Sequence, residues 1–142
     1  MKKRVLSILI TWAAIALCAS WAVAADTYNY IKAKDLNVRL SAGSPMIIVD
    51  ICPVEQFTKG HVKGSIETNA YPVKTEEEKA KLAAILPKLK ASADDIIVVC
   101  PKGGGGATKT VDYYKAGGID EKRLLILEKG MGEWPYETEK RQ

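Results

Sequence analysis

Two short runs, "PMIIVDI" (45–51) and "DIIVVC" (95–100), are apolar without alternation and rich in β-branched residues. A strand with one wet face alternates polar with apolar, so an unbroken run this short marks a strand covered on both faces. "RLLILEKG" (123–130) is a third such run. "GSIETNA" (64–70) is a weaker candidate, and "TYNYIKA" near Thr27 adds a candidate edge strand.

Helical stretches lie between these runs. "AKDLNVRLSAG" offers Leu36, Val38 and Leu40 as its apolar positions and a stop at Gly43. "TEEEKAKLAAILPKLK" opens on Thr75 and Glu78 at capping-box spacing, with Glu76 and Glu77 suited to the positive end of the helix dipole. Pro87 is expected to end or kink that helix. "ATKTVDYYKAGG" sets Val111 and Tyr114 on one face and reaches a C-cap at Gly117. Strands alternating with helices, and buried on both faces, dictate an α/β fold: a central parallel sheet of about five strands flanked by helices on both faces. In such sheets ligands bind beyond the carboxyl ends of the strands. Cys100 ends a run expected to be central, which makes it the first candidate for an active site.

The N-terminus follows a different logic. "MKKR" is basic, the stretch from Val5 to Ala25 carries no charge, and it closes on Ala22-Val23-Ala24. These are the three parts of a secretory signal peptide, so residues 1–24 are expected to direct export and residues 25–142 to form one domain, periplasmic or secreted. About 20 apolar residues also meet the length of an uncleaved membrane anchor, but the small residues at the end favour cleavage and a soluble product. Without Lys2, Lys3 and Arg4 the formal charge falls from +4 to +1, which leaves nothing to suggest a nucleic-acid partner. Cys18 leaves with the same segment. The remaining ~118 residues can bury an adequate core without staples, so Cys52 and Cys100 are candidates for chemistry, or for one disulfide, rather than a scaffold of bridges.

"VVCPKGGGGAT" (98–108) follows Cys100 with four consecutive glycines. Four glycines are costly to order, and they suit a loop whose backbone N–H groups curl inward as an anion-binding nest. A following helix adds its positive end, and a sulfur at the rim of such a nest is favoured as thiolate. This reading expects positive φ within the tract, at Gly104 and Gly105 in particular. Lys102 is the loop's one charged side chain and a candidate for attracting an anion. The plainer alternative is a buried cysteine followed by a flexible surface loop. No Gly-Lys-Ser/Thr triplet closes the tract, so it does not read as a nucleotide-binding P-loop.

Taken in order, these segments resemble the rhodanese-like single-domain sulfurtransferases. "MIIVDICPVEQFTKGHVKGSIETN" resembles the family's strand-Asp, acidic helix and Gly-His-x-x-Gly-[Ala/Ser] segment, here Gly60, His61, Gly64 and Ser65. "IIVVCPKGGGGA" resembles the strand with the terminal catalytic cysteine, and Gly103 stands three residues after Cys100 as in the family. "LLILEKGMGEWP" resembles the last strand followed by a glycine and a tryptophan, here Gly130 and Trp134. The resemblance spans residues 33–135.

It implies a rhodanese-like fold with Cys100 as a nucleophile that takes up sulfane sulfur as a persulfide and passes it to a thiophilic acceptor. The donor class is a small sulfur-containing anion, such as thiosulfate or a polysulfide, or a protein persulfide. Lys102, Gly103, Gly104, Gly105 and Gly106 would contact the substrate, with no metal and no cofactor required. A sulfur carrier or sensor with little turnover, and a thiol–disulfide role for Cys52 with Cys100, are the competing functions.

Two positions depart from the family. Gly105 stands where many members carry a basic residue, and the related phosphatases need an Arg near there to hold phosphate bidentately. Phosphatase and arsenate-reductase activities are therefore not expected. Cys52 stands where the family often has Arg, two residues after Asp50. Asp50 and Cys52 are accessory candidates: Cys52 either resolves an oxidised Cys100 as a reversible disulfide or fills the space of that Arg. His61 is expected to be structural, Trp134 to pack or border the pocket, and Tyr113 and Tyr114 to pack their helix.

Overall fold

In the computed structural model, which describes residues 27–141, five parallel strands form one sheet. They are β1 (Asn29–Ile31), β2 (Met46–Asp50), β3 (Ile66–Glu67), β4 (Asp95–Val99) and β5 (Leu124–Leu127), in the order β1-β5-β4-β2-β3. The expected signal segment, 1–24, lies outside the described residues. Among the described residues no helix is long and apolar enough to cross a membrane. The connections are α1 (Ala33–Ser41), α2 (Val54–Lys59), α3 (Glu76–Ala83), α4 (Leu86–Lys90) and α5 (Gly105–Ala116).

The unbroken apolar runs fill both faces of the sheet. On β2 and β4, Ile47, Val49, Ile96 and Val98 join one core, and Ile48, Ile97 and Val99 join the other. The first core is completed by Leu82, Leu89, Val111 and Tyr114, contributed by α3, α4 and α5. The second is completed by Leu36 of α1 and by Val62. A strand serving two cores has no wet face, which is why these runs do not alternate. The fully buried Tyr114 donates its hydroxyl to the Leu82 carbonyl at 3.3 Å, tying α5 to α3.

Most sequence-level boundaries hold, and the departures have local causes. Thr75 and Glu78 form both halves of the capping box at the start of α3. The stretch containing Pro87 divides into α3 and α4, with the proline in the first turn of α4, where its missing N–H costs no hydrogen bond. In α1, Leu36 is buried and Leu40 packs against the second core, whereas Val38 is exposed. Leu36 and Leu40 are four apart and share a helix face; Val38 lies between them in sequence and therefore on the other side. Gly117 is the C-cap of α5, and the left-handed residue that follows is Gly118, at φ +96°.

A strand-end thiol over a glycine loop

Central placement in the sheet fixes where β4 delivers its last residue. Cys100 follows Val99 at the carboxyl edge and is 1% exposed, packed in the same core as Ala107, Val111 and Ile51. The loop then turns through Pro101, Lys102 and Gly103 into α5, whose N-cap is Gly104. Gly103 adopts φ +70° and donates its backbone N–H to Cys100 Sγ at 2.9 Å. That donor stabilises negative charge on the sulfur, and the free N–H groups in the first turn of α5 add the positive end of a helix dipole.

The four glycines therefore have different tasks. Gly103 alone among them has positive φ, and a β-carbon there would lie 2.7 Å from the Lys129 nitrogen. Gly104 has φ −108°, and Gly105 and Gly106 are the first two residues of α5. The expectation of positive φ at Gly104 and Gly105 is thus wrong: the helix starts earlier than the sequence suggested and absorbs half of the tract. A β-carbon at Gly104 or Gly105 would meet nothing within 4 Å, so both leave open space over the loop. Gly106 is bare for a different reason. The Tyr71 ring lies against it, with Cδ2 2.8 Å from where a β-carbon would stand.

A brace from the segment after β5 holds this loop. Met131 N–H donates to the Cys100 carbonyl at 2.8 Å, and Gly132 N–H to the Pro101 carbonyl at 2.9 Å. Gly130 sits at φ +65°, and a β-carbon on it would overlap the Cys100 carbonyl oxygen and stand 2.6 Å from the Lys102 and Gly103 nitrogens. Gly130 is required by close approach as well as by its backbone angle.

Sequence placed Asp50 and Cys52 beside Cys100, and the sheet separates them by face. Asp50 pairs in register with Val99, so Ile51 lies opposite Cys100 and shares its core. Cys52, one residue further on, belongs to the other core. Both thiols are free. Asp50 accepts the Cys52 backbone N–H at Oδ1, 2.8 Å away, while its Oδ2 has no partner in the described structure. Burial raises the Asp50 carboxyl above the ordinary carboxylate range, against the lowering effect of its Cys52 hydrogen bonds and His61; Glu67 adds to the rise. Burial, followed by the Asp50 charge, drives the Cys52 thiol far above its ordinary range, so it is held protonated.

Of the remaining candidates, His61 and Trp134 pack elsewhere and Lys102 lies on the loop. His61 stacks on Phe57 with ring centroids 3.8 Å apart, holds the Phe57 carbonyl through Nδ1 at 3.0 Å, and pairs its backbone with Glu139. Trp134 packs against the second core, away from Cys100, and donates Nε1–H to the Glu137 carbonyl. Lys102 is exposed on the loop. Sequence reading missed Tyr71, whose ring lies against Gly106 in the first turn of α5. Its only sequence signal is an aromatic residue before a proline in "NAYP", which marks a turn without revealing what the ring touches.

A parallel α/β sheet that ends a central strand in a thiol, with a backbone N–H of the following glycine loop on its sulfur, defines the class. A model of the rhodanese-like domain matches residues 32–137, and the chain belongs to that family. No curated protein sequence matches the chain. Solved structures share the fold. The rhodanese-like domain of an Anabaena protein is 18% identical with a TM-score of 0.58, covering 81% of each chain. A Staphylococcus aureus rhodanese-like domain protein is 24% identical with a TM-score of 0.57, over 80% of this chain and 99% of that one. A yeast protein tyrosine phosphatase of the rhodanese family is 17% identical with a TM-score of 0.58, over 78% of this chain and 86% of that one.

Proposed function

We propose that this chain is an exported sulfurtransferase, acting in the periplasm or outside the cell, that carries sulfane sulfur as a persulfide on Cys100. The observation that carries the reading is the Gly103 N–H aimed at Cys100 Sγ at 2.9 Å, from a glycine loop whose one charged side chain, Lys102, is exposed. Both an attacking thiolate and a persulfide are anions, and a fixed backbone donor stabilises either without reorganising. The export reading rests on the basic, apolar and small-residue parts of residues 1–24.

In the first step the Cys100 thiol gives its proton to solvent, and the thiolate attacks the outer sulfur of thiosulfate. The S–S bond of thiosulfate breaks, sulfite leaves with the electron pair, and Cys100 becomes a persulfide anion. In the second step a nucleophile attacks the outer sulfur of the persulfide, and Cys100 leaves as thiolate. Phosphoryl chemistry, suggested by the phosphatase with the same fold, is opposed by the loop itself. Residues 101–106 contain no Arg to grip phosphate in two places.

Assay of thiosulfate:cyanide transfer on the purified domain, with intact-mass measurement after thiosulfate treatment, tests the reading. Turnover with an adduct of one sulfur atom on Cys100 is the expected result. A stable adduct without turnover makes the protein a sulfur carrier, and neither adduct nor turnover with thiosulfate or polysulfide overturns sulfur chemistry here.

A further inference from the structure

The transfer step leaves the acceptor unspecified, and a basic groove beside the loop narrows its chemistry. The groove has a volume of about 440 Å³ and is lined by Val73, Lys74, Lys79, Lys109, Asp112 and Tyr113. It lies on the Cys100 side of the sheet, since Val73 and Tyr113 pack on the same core as Cys100. Lys109 is three residues beyond Gly106 on α5 and Tyr113 seven. At the rise of an α-helix the groove therefore runs from about 5 Å to about 10 Å along α5 from the glycine loop. Tyr71, against Gly106, stands at the junction, and Val73 and Lys74 continue the chain from it into the groove wall.

Charge in the groove is unevenly neutralised. Lys79 is paired with Glu76 at 2.8 Å, and Asp112 accepts the Tyr28 hydroxyl at 3.0 and 3.1 Å. Lys109 enters no ion pair among the described residues, and the Lys74 ammonium none, although the Glu78 carboxylate accepts the Lys74 backbone N–H at 2.6 Å. The wall is also strained where it turns. Val73 holds φ +60°, a genuine outlier for a β-branched residue, and such strain persists where the surrounding structure enforces it and clusters at binding sites. A groove of this volume suits a small molecule, and a reach of about 10 Å matches about three residues of extended chain.

We propose that this groove is a subsite for the carboxylate end of a small thiol acceptor, a cysteine derivative or short cysteine-containing peptide with at least two carboxylates, whose sulfur reaches Cys100. The inference rests on the sulfur-transfer reading. Lys74 and Lys109 hold the carboxylates, and the open space over Gly104 and Gly105 admits the sulfur. The acceptor thiolate attacks the outer sulfur of the Cys100 persulfide and the bond to Cys100 breaks. Cys100 leaves as thiolate and the acceptor becomes the persulfide, with no net oxidation or reduction.

The test compares a carboxylated with a neutral thiol in the second half-reaction alone. Cys100 is loaded with sulfur, and its discharge to γ-glutamylcysteine, which carries two carboxylates on a chain long enough to span the groove, and to 2-mercaptoethanol is followed in wild type and in the Lys74→Ala/Lys109→Ala variant. Two exposed charge contacts set the expected effect: the rate ratio favouring γ-glutamylcysteine falls about five- to tenfold in the variant. Discharge to the neutral thiol stays unchanged. An unchanged ratio, or equal slowing with both thiols, overturns the proposal. Binding of S-methyl-γ-glutamylcysteine to Cys100→Ser protein, followed by NMR, needs no transfer. Shifts at Val73 and Tyr113 that vanish when Lys74 and Lys109 are replaced support the subsite even if sulfur transfer itself fails. Shifts elsewhere, or none, count against it.

Discussion

Cys100 and Cys52 emerge from neighbouring parallel strands at the same edge of the sheet, one residue out of step, and that single step gives them opposite chemistry. Cys100 packs on the face covered by α5, takes the backbone N–H of Gly103 onto its sulfur, and lies where the chain enters the glycine loop. Cys52 packs on the other face beside the Asp50 carboxyl, where burial and that charge hold it as a thiol. Side-chain direction alternates along a strand, so two thiols that are close in register can still point away from each other. Proximity at a sheet edge does not make a redox pair.

Replacing each thiol separates them most sharply. Cys100→Ser is expected to abolish sulfur transfer and the sulfur adduct while leaving the thermal unfolding midpoint nearly unchanged, because a serine hydroxyl does not supply the anion. Substantial transfer by this variant would remove Cys100 from its role. The brace comes next. Gly130→Ala forces a β-carbon onto the Cys100 carbonyl at a left-handed position, and each such strain costs about 1–3 kcal/mol. Denaturant unfolding should show that loss, and transfer should fall at least about tenfold by displacement of the loop.

Cys52→Ala should leave transfer unchanged and cost about 1 kcal/mol of stability through a small void. After mild peroxide treatment, non-reducing peptide maps should show oxidised Cys100 with Cys52 still free; a Cys52–Cys100 linked peptide would mean that the two faces exchange.

Asp50 extends the contrast to pH. Its pKa is raised in the fold, so the native state binds more protons than the unfolded chain between the unfolded value, about 3.9, and the higher folded one. That contribution is present at low pH and is lost as pH rises through the folded value. Asp50→Asn should flatten this part of the stability–pH curve, measured by denaturant unfolding, and leave transfer intact. An unaltered slope would show that Asp50 is not its source.

The smallest effect belongs to Gly105→Ala. Its β-carbon meets open space in the first turn of α5, so stability should rise by about 0.4–1 kcal/mol with most transfer retained. A large loss of transfer with cyanide as acceptor would mean that a single methyl group is enough to close the space over Gly105.

Much of this was legible in the sequence because it depended on neighbours in the chain. Unbroken apolar runs announced strands buried on both faces, Thr75 and Glu78 announced a cap, and a cysteine at a strand end before a glycine tract announced the site. What lay outside that reach depended on contacts between distant segments. Residues 98–108 do not reveal that Gly130 presses on the Cys100 carbonyl, that Tyr71 covers Gly106, or that α5 begins inside the glycine tract. The sequence also brought Cys52 and Cys100 to one edge, through the matching lengths of their strands. Only the register of β2 against β4, with Asp50 beside Val99, decided that they face different cores. The pleat reverses direction at every residue, so an offset of one position in the pairing settles which thiol meets the loop and which is sealed beneath the sheet.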